Sequence, residues 1–256
     1  MEYIMTPQLE FLLKVTNTEE TRLVLVSGPT GCGKSAMLDA WAESTGRSIE
    51  RIMTSSSVEF IKGGLVKDRM VVAIRGDLLD EDVIEALKSF SKKKGVVVFV
   101  VDTSNDGFAV LPVRVKDIFH HVIEISYLEE AQEAALISSR TGLSPDYSRR
   151  LVAVASTVRM KQVNSRNPVF SYQVSTRRLL LVAKNLKLYG VGSLYTTIIN
   201  LFSPRTFDGS CSSQSSERGY LIEILNGKFG NLNPDSPDNP FDPEPEPEPT
   251  TKAKKK

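Results

Sequence analysis

Gly28-Pro29-Thr30-Gly31-Cys32-Gly33-Lys34-Ser35 fits the spacing G-x-x-x-x-G-K-[ST]. The flanks decide how it reads. Before it, Arg22-Leu-Val-Leu-Val-Ser27 is a short apolar run of the kind that forms a buried strand. After it, Ala36-Met-Leu-Asp-Ala-Trp-Ala-Glu43 has the composition of a helix, closed by Gly46. A strand, a glycine-rich loop and a helix in that order make a phosphate-binding loop. Glycines let successive backbone N–H groups turn toward one point, and the helix N-terminus adds its positive end. In that reading Lys34 reaches the β- and γ-phosphates of a bound nucleotide, and the Ser35 hydroxyl binds Mg²⁺. The whole loop, from Gly28, Pro29, Thr30, Gly31, Cys32 and Gly33 through Lys34, Ser35 and Ala36, is expected to line the phosphates of ATP. Cys32 takes a variable position of the loop, and a redox role there needs a reactive thiolate.

Around this stretch, the chain reads as alternating strands and helices. Pro7 to Lys14 is a short helix with Pro in its first turn. Ser48 to Thr54, Met70 to Ile74, Gly95 to Val101 and His121 to Ser126 are further strands. Ser55 to Lys62 is ambiguous and stops at Gly63-Gly64. Asp80 to Phe90 is helical, with acids in its first turn and lysines just beyond its last. Continuous apolar strands separated by helices imply a parallel five-strand sheet covered on both faces, an α/β domain spanning residues 1–127. Beyond it the pattern becomes all-helical over 128–230. Helices are expected over Leu128 to Arg140, from the Ser144-Pro145 cap to Met160, from Ser175-Thr176 to Tyr189, from Ser193 to Phe202, and over Gly219 to Phe229. Residues 203–219 read as a polar loop. Residues 231–256, rich in Pro, Glu and terminal Lys, cannot bury a core and read as a disordered tail.

The totals exclude several classes. Over 256 residues the net charge is +1, so no global field favours DNA or a membrane surface. No apolar run approaches the ~20 residues of a spanning helix. The N-terminus lacks the pattern of a signal peptide. With two cysteines, one of them inside the loop, a reducing cytoplasm is the expected compartment.

A phosphate loop on a five-strand α/β domain with a helical lid resembles the AAA+ ATPases, and among them the MoxR-like, dynein-related branch. Two further stretches carry the resemblance. Val100-Val-Asp-Thr-Ser-Asn-Asp-Gly-Phe-Ala-Val-Leu-Pro112 is similar to that branch's sensor-1 strand end, which would place Asn105 beside the γ-phosphate. Asn105-Asp106-Gly107 is also a good turn in its own right. Val174-Ser-Thr-Arg-Arg-Leu-Leu-Leu181 is similar to the start of a sensor-2 helix, from which Arg177, or Arg178 beside it, would reach the nucleotide. The resemblance covers residues 1–202 in element order. It implies ATP and Mg²⁺ as cofactors, a homo- or hetero-oligomeric ring, and a protein client or nucleic-acid complex that the sequence does not name.

The pattern breaks at two places. The family ends its third strand in an Asp-Glu pair, for Mg²⁺ and for the attacking water; here Ile74 and Arg75 stand at those positions. Asp77, two or three residues late, is the first candidate for the metal side, and Asp80-Glu81 the second, although these also suit a helix N-terminus. A different alignment makes Asp102 the acid, led by Val96 to Val101. The expected arginine finger is also missing. Ile118 takes its place, with Arg114 or Lys116 nearby. His120 and His121 are adjacent on a strand start and so face apart, which argues against a metal pair. Two functions follow: an ATPase that remodels a partner, or a nucleotide-binding, hydrolysis-deficient subunit of a mixed, clamp-loader-like ring. The helical lid and the Ser175–Arg178 stretch argue against a small-molecule kinase.

Overall fold

The computed structural model describes residues 6–102, 111, 115, 117–163, 170, 174–202 and 217–230. They form two compact units, Met1–Leu128 with Ser175–Arg177, and Glu129–Val174 with Arg178–Lys256.

In the first unit, five strands form one parallel sheet: β1 Arg22–Ser27, β2 Glu50–Ile52, β3 Val71–Arg75, β4 Val97–Val101 and β5 His121–Glu124. Their order is β2-β3-β4-β1-β5. Register runs Arg22↔Val97 to Val26↔Val101 between β1 and β4, and Val24↔His121 to Ser27↔Glu124 between β1 and β5. Parallel strands need crossovers, and α1 Pro7–Thr16, α2 Lys34–Thr45, α3 Ser55–Lys62 and α4 Glu81–Ser89 flank the sheet.

Alternation along the strands splits their side chains between two cores. Leu23, Leu25, Val72, Ile74, Val98 and Val100 pack with Val58 and Ile61 of α3 and Val83 and Leu87 of α4. Val24, Val26, Val71, Ala73, Val97 and Phe99 pack with Leu9 and Leu12 of α1 and Met37, Leu38 and Trp41 of α2. Each such side chain, once fully buried, contributes about 1.5–3 kcal/mol. This double burial is why β1, β3 and β4 carry no polar alternation.

Trp41 locks α2 in place. Its ring meets Phe99 of β4 edge to face at 5.0 Å. Its Nε1–H donates to Thr16 Oγ1 (2.9 Å), whose own hydroxyl donates to the Leu12 carbonyl (2.7 Å). The one polar atom of a buried Trp therefore has a partner, as it must.

The second unit holds α5 Glu130–Thr141, α6 Pro145–Val163, α8 Leu194–Phe202, α9 Glu217–Phe229 and all but the first two residues of α7 Thr176–Tyr189. Apolar residues of all five share one core, among them Ile137, Val154, Val158, Leu179, Val182, Ile198, Phe202, Leu221 and Leu225.

Boundaries differ from the sequence reading where end residues lack pairing. Ser48 to Thr54 contributes only a three-residue strand at the sheet edge. The ambiguous Ser55 to Lys62 is a helix, stopped by Gly63. The last helix begins at Glu217, so residues 217–219 belong to it and not to the polar loop; Glu217 places its acid at the positive helix end.

Candidate phosphate-binding site

The loop leaves β1, which lies between β4 and β5, and enters α2 at Lys34. Ligands of open α/β sheets gather at this carboxyl end. Gly28, Gly31 and Gly33 have φ of 152°, 73° and 111°, a region that side chains disfavour. Gly28 is also a place of close approach. A Cβ there would fall 2.1 Å from the Ile125 carbonyl oxygen, just beyond β5. A Cβ on Gly31 would fall 2.6 Å from the Ser175 Cβ. Tyr127 donates its hydroxyl to the Thr30 carbonyl at 3.0 Å and pins the loop tip. The first turn of α2 holds no acidic side chain, so nothing competes with an incoming anion for the helix N-terminus.

Lys34 is 7% exposed. Its ammonium donates to the carbonyls of Gly28 (2.7 Å) and Pro29 (2.8 Å). Burial lowers its pKa most; the charges of Cys32 and Asp102 work against that, and the Arg177 guanidinium adds to it. Arg177 is thus close enough to Lys34 for two cations to act on one another. Neighbouring cations with glycine amides around them form a field suited to phosphate oxygens. Ser35 and Ala36 are exposed on the first turn of α2. Cys32 is buried, and that burial pushes its thiol pKa up against the opposing pull of Lys34. A raised pKa disfavours the reactive thiolate.

The three candidate acids stand in different settings. Asp77 follows β3 in a 3-10 turn and is held by Arg75: Nε to Oδ1 at 2.9 Å and Nη2 to Oδ2 at 2.6 Å, with its side chain 60% exposed. Asp80 caps α4, accepting from the Val83 amide at 2.8 Å, and pairs with Lys62 at 2.7 Å. Those same contacts, the Lys62 bond first, hold its carboxyl below the usual range. Asp102 is different. It directly follows β4 beside β1, its amide donates to the Val26 carbonyl at 3.0 Å, and it is 6% exposed. Its charge is felt by Lys34. Gly76 faces it: a Cβ there would lie 3.0 Å from Asp102 Oδ1. The residue after Arg75 is thus one without a side chain, and the Asp102 carboxylate lies against it. In the sequence, the apolar run Val96 to Val101 leads into this residue.

Among the described residues, no cluster of three His, Cys, Asp or Glu could hold a metal ion unaided. Mg²⁺ in nucleotide sites takes one or two protein oxygens and completes its shell with phosphates and water. The buried Asp102 carboxylate and the Ser35 hydroxyl at the start of α2 are oxygens of the kind such a site would use. His120 accepts the Leu23 amide on Nδ1 at 2.9 Å, and His121 stacks edge to face on Phe11 at 5.7 Å. Asn105, Arg114 and Lys116 lie outside the described residues.

No protein-family model matches the chain, and no curated protein matches it in sequence. Among solved structures, the Thermotoga maritima RuvB Holliday junction branch migration motor aligns at 14% identity with a TM-score of 0.45, over 76% of this chain and 73% of its own. A single-residue variant of the same RuvB gives the same identity and score over 74% of its length. The parallel five-strand sheet flanked by helices, with a glycine loop running from β1 into α2, is the P-loop NTPase fold.

Proposed function

We propose that this chain is an AAA+ ATP-binding protein of the MoxR-like kind, working in the cytoplasm as part of an oligomeric ring that remodels a protein or nucleic-acid partner. The observation that carries the nucleotide reading is the Lys34 ammonium. It is buried in a glycine-lined loop at the start of a helix, resting on two neutral carbonyls. Phosphate oxygens are better acceptors for it than those carbonyls, because bonds between two charged groups are roughly twice as strong. No helix among the described residues is long and apolar enough to cross a membrane.

In this reading the loop amides from Thr30 to Ala36 and the Lys34 ammonium bind the phosphates, with Gly28 and Pro29 shaping the turn. Ser35 and Asp102 hold the metal side, with Asp77 as the alternative acid. Asn105 orients water, Arg177 meets the γ-phosphate from the start of α7, and Arg114 is the candidate finger toward a neighbouring subunit. Bound Mg²⁺ supplies charge that stabilises the phosphoryl group in transfer. Asp102 is preferred to Asp77 because it is buried at the loop's own end of the sheet and its charge acts on Lys34, whereas Asp77 lies at the surface.

A second reading has its own support. Strand β3 ends in Ile74 and Arg75, neither of which accepts a proton from water. A chain built that way suits a nucleotide-binding subunit of a mixed ring whose turnover depends on a partner. Phosphate release from Mg·ATP, measured across a series of protein concentrations, separates the two. Turnover per chain that rises with concentration is expected of a self-assembling ATPase. Absent turnover with ATP still bound supports the mixed ring, and absent binding removes both.

A further inference from the structure

Glu133 of α5 is fully buried, and Arg159 of α6 is 14% exposed beside it. Their contact is a planar fork: Nη1 to Oε2 at 2.8 Å and Nη2 to Oε1 at 2.9 Å. The third nitrogen of the guanidinium, Nε, donates to the Val174 carbonyl at 2.6 Å. Taking two charges out of water is costly, and apolar residues of similar size would often hold two helices together as well or better. What apolar residues cannot do is grip a backbone carbonyl in one orientation. Val174 is itself buried, and the next three residues are Ser175, Thr176 and Arg177. The chain passes at Val174 from one compact unit to the other. Ser175 then lies against Gly31 of the phosphate loop, and Arg177 acts on Lys34. The gripped carbonyl thus immediately precedes the residues that face the loop.

We propose that the Arg159–Glu133 pair is a positioning device: by holding the Val174 carbonyl it aims Ser175–Arg177 at the phosphate loop and so sets how strongly the protein prefers ATP to ADP. The proposal rests on the reading of Arg177 as a γ-phosphate contact. Arg159 touches no nucleotide and acts through Arg177. A lysine in its place keeps the charge but cannot form the fork and the Nε bond together.

The test is competition binding of ATP and ADP to the full-length protein, in wild type, Arg159→Lys, Glu133→Asp, Arg177→Ala and the Arg159→Lys/Arg177→Ala double variant. Thermal melts run alongside. Arg159→Lys is expected to lower the ATP-to-ADP affinity ratio about five-fold or more, the lower end of a site-to-site coupling. The double variant should be no worse than Arg177→Ala alone, because two residues on one path do not add. Should Arg159→Lys fail to fold, Glu133→Asp carries the test: it keeps the charge and withdraws the carboxylate by one methylene. A ratio unchanged in folded Arg159→Lys and Glu133→Asp, while Arg177→Ala lowers it, overturns the positioning role and leaves the Arg177 reading intact. Full additivity in the double variant overturns it too. An unchanged ratio in Arg177→Ala overturns the reading and the proposal with it. Unfolding of both conservative variants overturns the proposal, since the pair then holds the fold and not the aim.

Discussion

Lys34→Ala is expected to weaken Mg·ATP binding by about two orders of magnitude, since bonds to charged groups are worth about 1.5–3 kcal/mol each and this ammonium offers more than one. The side chain leaves the first turn of α2 and ends on the Gly28 and Pro29 carbonyls, so it already lies within the loop that is to hold the phosphates. The fold should survive. Truncation takes a donor from the Gly28 and Pro29 carbonyls; Pro29 keeps the Cys32 amide at 3.4 Å, and a carbonyl left buried and unpaired costs about 1–3 kcal/mol, while loss of a buried cation whose desolvation opposes folding offsets part of that. The Trp41–Thr16–Leu12 chain and the Trp41–Phe99 contact, which fix α2 against the sheet, do not involve Lys34. Fluorescent-ATP anisotropy gives the affinity, and a circular-dichroism melt shows whether the fold is kept. An affinity within two-fold of wild type, in a folded variant, sinks the phosphate-loop reading.

Asp102→Asn is expected to separate metal from nucleotide. Binding of ATP without Mg²⁺ should stay within a few-fold of wild type, because the loop amides and Lys34 remain. Tightening by Mg²⁺ should be lost, and any phosphate release should fall by about two orders of magnitude, as for loss of one well-placed electrostatic group. The substitution keeps shape, which matters at a site 6% exposed and packed against Gly76. It also removes a charge that supports the Lys34 cation, so a modest drop in nucleotide-free stability is expected. Asp77→Asn is the control. Its partner Arg75 is at the surface, and exposed ion pairs contribute at most about 1 kcal/mol. Titration with Mg²⁺ at fixed ATP distinguishes the two acids. Loss of the Mg²⁺ effect in Asp77→Asn, with Asp102→Asn normal, returns the metal side to Asp77.

The sheet was legible because burial on both faces leaves a clear trace. Leu23 to Val26, Val71 to Ile74 and Val97 to Val100 have no polar alternation, and all three donate side chains to both cores. The loop was legible because its glycines answer to local needs: positive φ at Gly28, Gly31 and Gly33, and close approach at Gly28. The setting of Asp102 was not legible, because it depends on which strands are neighbours. Insertion of β4 between β1 and β3 is what sets Asp102 beside the loop strand and opposite Gly76. Nor did the sequence reveal that Arg75 would engage Asp77, since two residues apart in an ordinary strand would share a face without this turn. The Arg159–Glu133 fork joins residues 26 apart on different helices, and no local pattern announces such a pair.

The claim on which everything else rests is that this chain binds nucleotide triphosphate at one site. Calorimetric titration of the full-length wild-type protein with Mg·ATP tests it most directly. A saturable isotherm with one nucleotide per chain is expected. Absence of binding by a folded protein at millimolar Mg·ATP would contradict it.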